Sequence, residues 1–501
     1  MAHLSKSSPD PVGADGTTAP ALGRQAARGA SVTLIGQIIR IVIQVGSVAV
    51  LARLLDPVDY GLVAIVLAVV GFGEILRDSG LSTAAVQARG LDVAQRDQLL
   101  WLNTAIGAVL TVLGICAAPL VAMAFDQPAL TPITQALSFT FLINGMTAQY
   151  RASLNRDLRF GALVATDLIA QILGVVIATI LALAGTEYWA LVAQQLGQAL
   201  LTLLVLMIFA RWLPGRPRRG VDIKSMTRFG QGLMATQLVG YLNSNVDTYT
   251  IGLTLGPGPL GVYNRGFQLL MRPLNQLRAP TTTVALPVLS KLAHDPERAG
   301  QYIVRGQLAL GYTLVAGLAF GAGAAAPLIA ILLGSEWSQV APIFAFLAIA
   351  GIFQTLSYVG NWVYLARALT SHLFGYSLIS LAIKIVCVLV GSRWGILGVA
   401  GGYAVAPALS WPISLWWLSR VTPLPLRALW LGAMRISGCA VVGGAGCYGA
   451  VAATSQLSAI WQLVAGLVSL VLSYGLLALI VPRIRRDFRE VAAIGRKALH
   501  R

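Results

Sequence analysis

The sequence predicts an all-α protein that crosses a membrane many times, and three observations predict it. Of its 501 residues 56% are hydrophobic and only 11% charged, and the mean hydropathy is +0.74, outside the range of soluble globular chains. Its apolar runs reach about 20 residues, the length a helix needs to cross a hydrocarbon core of about 30 Å, whereas barrel strands would be about 10 residues long and would alternate. The 36 Lys and Arg fall almost entirely in alternate gaps between the runs, which is how cationic loops distribute when they are retained on one side of a membrane.

Length and charge windows give about fourteen spans, near 31–52, 60–77, 99–122, 130–150, 162–184, 188–210, 228–252, 260–283, 304–326, 338–364, 373–391, 395–418, 428–452 and 459–481. The basic gaps hold Lys6, Arg24 and Arg28; Arg77, Arg89 and Arg96; Arg151, Arg156 and Arg159; the run from Arg211 to Arg228; Arg278, Lys291, Arg298 and Arg305; Arg367; Arg420 and Arg427; and the tail from Arg483 to Arg501. The other gaps hold only Arg53 and Arg393. An even span count and this alternation place both termini in the cytoplasm. The expected organisation is a disordered stretch over 1–30, a six-span lobe over 31–210, a basic linker over 211–227, a second lobe over 228–419, two extra helices over 428–481 and a basic tail over 482–501.

Several function classes drop out. The net charge of +17 fits loop retention and attraction to anionic lipid head groups better than nucleic acid. Cys116, Cys387, Cys439 and Cys447 lie inside apolar runs with no CxxC pair, and the four histidines sit in loops or tails, so neither disulfides nor a metal site is expected. No cleavable signal peptide is expected. Gly256-Pro-Gly-Pro-Leu-Gly261 matches GxGxxG literally but lies between two spans with no preceding strand, which rejects a dinucleotide site. No P-loop and no hydrolase or metalloprotease motif occurs, and no resident cofactor is expected.

The two halves carry a faint repeat. Leu55-Asp-Pro57-Val-Asp-Tyr-Gly61 follows the first span, and Leu255-Gly-Pro257-Gly-Pro-Leu-Gly261 follows the seventh. Proline suits the first turn of the next helix, and glycine allows a tight hairpin. Parallel repeats of this kind place a substrate path between the halves.

Charges inside the apolar runs are then the functional candidates, because each costs at least ~2.5–3.5 kcal/mol at mid-bilayer. Gln37, Arg40, Gln44 and Ser47 share one face of the first span, and Arg265, Gln268, Arg272 and Asn275 recur with the same spacing on the eighth. These stripes read as walls of a shared aqueous cavity, with guanidinium forks suited to phosphate. Asn243 and Asn245 add to the lining. Glu74 and Asp247 are candidate carriers of a coupling ion, with a proton or sodium gradient as the energy source. The bland alternative is that Arg40 or Arg272 merely pairs with Glu74 or Asp247. Lys384 is a candidate for a second cavity in the C-terminal half. Asp167, with Gln171 one turn along, reads as a buried hydrogen-bonded group, and Arg435 as a side chain that snorkels to the interface.

At these residues a family resemblance emerges. Leu51-Ala-Arg53-Leu-Leu-Asp-Pro-Val-Asp-Tyr-Gly61, Asp78-Ser-Gly80-Leu with Gln87, Asn245-Val-Asp247, Leu260-Gly-Val-Tyr263-Asn-Arg265 and Pro287-Val-Leu-Ser-Lys291 resemble the polysaccharide-exporter branch of the multidrug/oligosaccharidyl-lipid/polysaccharide flippase superfamily, over roughly residues 30–480. The resemblance is strongest to the colanic-acid-type lipopolysaccharide exporters. It implies two six-helix lobes in a V, as in multidrug exporters of that superfamily, with two extra C-terminal helices. It also implies a bacterial inner-membrane flippase for undecaprenyl-diphosphate-linked oligosaccharide, with Arg40, Arg265 and Arg272 placed to hold the diphosphate. Polymerase and glycosyltransferases of the same pathway are the implied partners. The rival expectations are a cation-coupled small-molecule exporter, which would want acidic and aromatic cavity residues, and a membrane polymerase or ligase, which would want a large outer loop.

Overall fold

A computed structural model of the chain describes residues 19–78, 92–216, 224–292 and 294–499. Lys6, Ser79, Gly80, Gln87, Arg89, Arg218, Arg219 and Arg501 lie outside the described residues.

The described elements are helices: α1 (Ala19–Leu51), α2 (Pro57–Asp78), α3 (Val93–Ala124), α4 (Leu130–Arg156), α5 (Phe160–Leu183), α6 (Tyr188–Ala210), α7 (Lys224–Thr254), α8 (Pro257–Lys291), α9 (Pro296–Gly323, with one π turn over Gly311–Val315), short α10 (Ala325–Leu332), α11 (Val340–Ala366), α12 (Thr370–Ser392), α13 (Gly395–Val421), α14 (Leu426–Ala453), α15 (Ala459–Ile480) and α16 (Pro482–Leu499). Each expected span falls on one of them. The first helix begins inside the stretch expected to be disordered, since 19–30 is alanine-rich and carries Pro20 in its first turn, where the missing N–H costs nothing.

Among the described residues eleven helices are long and apolar enough to cross a membrane. Their outward faces carry exposed Leu34, Ile38 and Val42 on α1, Val109 and Val112 on α3, and Val468 and Leu472 on α15. A water-facing surface would not present such rows; hydrocarbon would accept them. Among the other helices α4, α7 and α8 are long but less apolar. They supply many of the polar side chains around the cavities described below, so their low hydropathy has a local cause.

The two halves repeat the same packing. In the first, α1 packs on α5, α2 on α4, α3 on α4, α4 on α6 and α5 on α6; in the second, α7 packs on α12, α8 on α11, α9 on α11, α11 on α13 and α12 on α13. The halves meet mainly along α2 and α8, flanked symmetrically by α2 against α7 and α1 against α8. The repeated Pro-x-x-x-Gly elements sit at this seam, Gly61 against the carbonyl of Pro257 and Gly261 against that of Pro57. Asp59 in the first turn of α2 accepts a hydrogen bond from the Asp56 N–H at 3.2 Å, and Gly256, at φ +82°, turns the chain into α8. At the same end Trp337 Nε1 donates to the Ala52 carbonyl at 2.7 Å, Arg53 donates to the Ile331 carbonyl at 3.2 Å, and Tyr60 meets Trp337 edge to face. The lobes are thus closed where α2 and α8 begin.

Candidate functional site

Two adjoining cavities occupy the space between and beside the lobes. The larger, about 760 Å³, lies in the N-terminal lobe toward the end opposite the Pro–Gly seam. Its charged wall is Glu74, Arg77, Asp78, Arg151 and Asp167, and its neutral polar lining includes Asn144, Gln195 and Gln198. The smaller, about 350 Å³, lies between the lobes and is lined by Tyr60, Tyr241, Asn245, Asn264, Arg265, Gln268 and Arg272, among others. Leu67, Gly71 and Gln195 belong to both walls, so the two spaces adjoin.

Their electrostatics differ. In the larger cavity Glu74 and Arg77 are matched with each other, and Arg151 with Asp167. Glu74 accepts from Arg77 at 2.6 Å and from Asn144 at 2.7 Å. Asp167 accepts from Arg151 at 2.6 Å and is ion-paired with Arg40 on α1. In the smaller cavity the arginines are unopposed. Arg265 is buried, with its guanidinium 3.6 Å from the Tyr60 ring centroid and its Nε without a hydrogen-bond partner among the described residues. Arg272, two helical turns along α8, is exposed within the cavity and has no ion-pair partner among the described residues. A guanidinium stacked on an aromatic face keeps its charge but leaves its fork free for an anion. Tyr241 and Tyr249 close one side from the other lobe, both donating to the Ala68 carbonyl, at 2.8 and 2.7 Å.

The structure therefore separates the expected site residues. Arg265, Gln268 and Arg272 come together in the inter-lobe cavity, with Gln268 donating to Asn264 at 2.5 Å. Glu74 lines the larger one. The first-span stripe joins helices and contributes to neither lining: Gln44 accepts from Gln276 of α8 at 3.1 Å, Ser47 accepts from Gln194 at 3.4 Å, Arg40 reaches Asp167, and Gln37 is half-buried. Asn275 accepts from Arg278 at 2.6 Å, away from both cavities. Asp247 and Lys384 form a buried ion pair, Nζ to Oδ1 3.4 Å, between α7 and α12. The same ammonium donates to the Asn243 carbonyl at 2.5 Å and lies 4.2 Å from the Tyr403 ring centroid. The Asn243 side-chain Oδ1 is buried without a partner among the described residues.

Arg77, Asn144, Arg151, Gln195 and Gln198 complete the site, and their positions alone do not announce them. Arg77 and Arg151 stand near helix ends, where a basic residue reads as an orientation signal. Helical spacing offered a cue, since Asn144 and Arg151 lie seven apart on α4 and Glu74 and Arg77 three apart on α2.

A multi-pass helical membrane protein with two repeated lobes and a charged cavity between them is the class these features define. The family described as "Polysaccharide biosynthesis protein" matches residues 50–342, and the chain belongs to that family. Lipopolysaccharide biosynthesis protein WzxC of Escherichia coli (strain K12) is 24% identical over 393 residues, which cover 76% of this chain and 78% of that protein. Teichuronic acid biosynthesis protein TuaB of Bacillus subtilis (strain 168) is 26% identical over 425 residues, 83% of this chain and 87% of that one. In fold the chain is similar to the lipid II flippase MurJ in an inward closed conformation, with a TM-score of 0.70 at 14% identity, covering 90% of this chain and 99% of that one. The expected all-helical, many-span fold is thereby met.

Proposed function

We propose that this chain is a flippase that moves undecaprenyl-diphosphate-linked oligosaccharide repeat units across the bacterial inner membrane, for exopolysaccharide or lipopolysaccharide synthesis. The observation that carries the reading is the contrast between the adjoining cavities. Unopposed Arg265 and Arg272 suit a diphosphate, and the larger space, lined by paired charges, amides and hydroxyls, suits sugars. The names of the similar proteins, two of polysaccharide biosynthesis and one lipid II flippase, support the same reading.

The chain would act by alternating access. In the proposed orientation the α2–α8 Pro–Gly seam faces outward, and the linker and both termini face the cytoplasm. The headgroup would enter the N-lobe cavity while the lipid tail stays in hydrocarbon. Its anionic charge would settle against Arg265 and Arg272, and rocking of the lobes would part the seam. Coupling to a proton or sodium gradient is part of the proposal. Glu74 is the better-placed carrier because it lines the cavity, whereas Asp247 is closed off by Lys384. Polymerase and glycosyltransferases of the same pathway would be its partners.

The test is complementation of a flippase-null strain whose own repeat unit this chain can carry. Wild type should restore surface polysaccharide, and Arg272→Ala should not, at equal protein abundance. Drug resistance without polysaccharide export would support a small-molecule exporter instead.

A further inference from the structure

We propose that α16 carries a binding surface for anionic phospholipid head groups, separate from the transport cavities. The helix starts two residues after α15 ends, so it lies where the last apolar helix leaves the hydrocarbon. Its inner face is fixed to the bundle. Asp487 is buried, accepts two hydrogen bonds from Arg435 at 2.7 and 3.2 Å, and accepts a third from the Tyr312 hydroxyl at 3.1 Å. Beside it Ile484 is buried, and Phe488 packs on Tyr312 and Tyr474 at ring-centroid distances of 4.7 and 6.3 Å.

The opposite face is a row of cations. Arg485, Arg489 and Arg496 recur at i, i+4 and i+11, with Arg486 alongside, and all four are exposed. The only carboxylates on the helix are Asp487, which is taken by Arg435, and half-buried Glu490. None of the four arginines has an ion-pair partner among the described residues. An arginine row held rigidly at a bilayer surface, its own carboxylate turned inward, is complementary to a layer of phosphate head groups. The anchoring ion pair matters because it stops the helix from rolling its cations into water.

The experiment uses the full chain in nanodiscs of phosphatidylcholine alone or mixed with phosphatidylglycerol, and reads amide hydrogen exchange over residues 482–499. The wild type should exchange about tenfold or more slowly in the anionic discs at low salt, and lose that difference at high salt. The fourfold Arg→Gln variant at Arg485, Arg486, Arg489 and Arg496 should show no lipid dependence, with exchange in α14 and α15 unchanged. Equal exchange of the wild type in both lipids, or a lipid dependence that survives in the variant, would overturn the proposal. So would salt-sensitive retention of a soluble acidic protein by wild type alone with no lipid dependence, which would assign the row to a protein partner.

Discussion

Gly61 faces the backbone carbonyl of Pro257 so closely that a Cβ at Gly61 would lie 1.8 Å from the oxygen, and Gly261 faces Pro57 in the same way at 1.7 Å. Backbone atoms cannot retreat as a flexible side chain can, so an added methyl must separate α2 from α8. Gly61→Ala or Gly261→Ala should therefore open the lobes at the Pro–Gly end. A cysteine pair at Val58 and Gly258 reads this directly, because a Cβ at Gly258 lies 3.8 Å from Val58 Cγ2. A short bifunctional thiol reagent should join that pair in the otherwise wild-type chain and lose most of its yield when Gly61→Ala is added.

The buried Asp247–Lys384 pair holds α7 to α12. Removing either partner leaves an uncompensated buried charge, which costs about 3–5 kcal/mol. Asp247→Leu and Lys384→Met should each lower the melting temperature in detergent by several degrees. The double variant should recover most of the loss, since apolar replacement of a whole buried pair is often neutral. If the double variant melts normally yet no longer exports polysaccharide, the pair serves transport as well as packing.

Asp167 ties α1 and α4 to α5 through Arg40 and Arg151. Asp167→Asn leaves two guanidiniums facing each other without an anion, so it should destabilise the chain more than Arg151→Gln, whose side chain is less buried. Thermal denaturation of the two variants in the same detergent checks the order.

Much of the fold is legible in the sequence because bilayer thickness fixes helix length and loop charge fixes alternation. The repeat could be read from Pro57, Gly61, Pro257 and Gly261, since a close backbone seam leaves few residue choices. The site is only half legible. Arg265, Gln268 and Arg272 of the α8 stripe line a cavity because that helix faces the opposite lobe, while the similar stripe on α1 turns toward α5, α6 and α8 and is spent on helix contacts. Helical periodicity gives a face but not its neighbour. Arg40 finds Asp167 and Lys384 finds Asp247 across separations in sequence that no local pattern encodes. Arg77 and Arg151 carried the ordinary signature of loop charges, and only the tertiary arrangement turns them into a cavity wall.

The central claim, that Arg265 and Arg272 grip a diphosphate between the lobes, is tested most directly by binding of the purified chain to an isoprenyl-diphosphate oligosaccharide. Affinity should fall about 10–100-fold in Arg272→Ala, the loss expected for a charge-assisted hydrogen-bond pair, and should fall less in Arg272→Lys, with an unchanged melting temperature in both. Equal affinity of wild type and Arg272→Ala for that ligand would contradict the account.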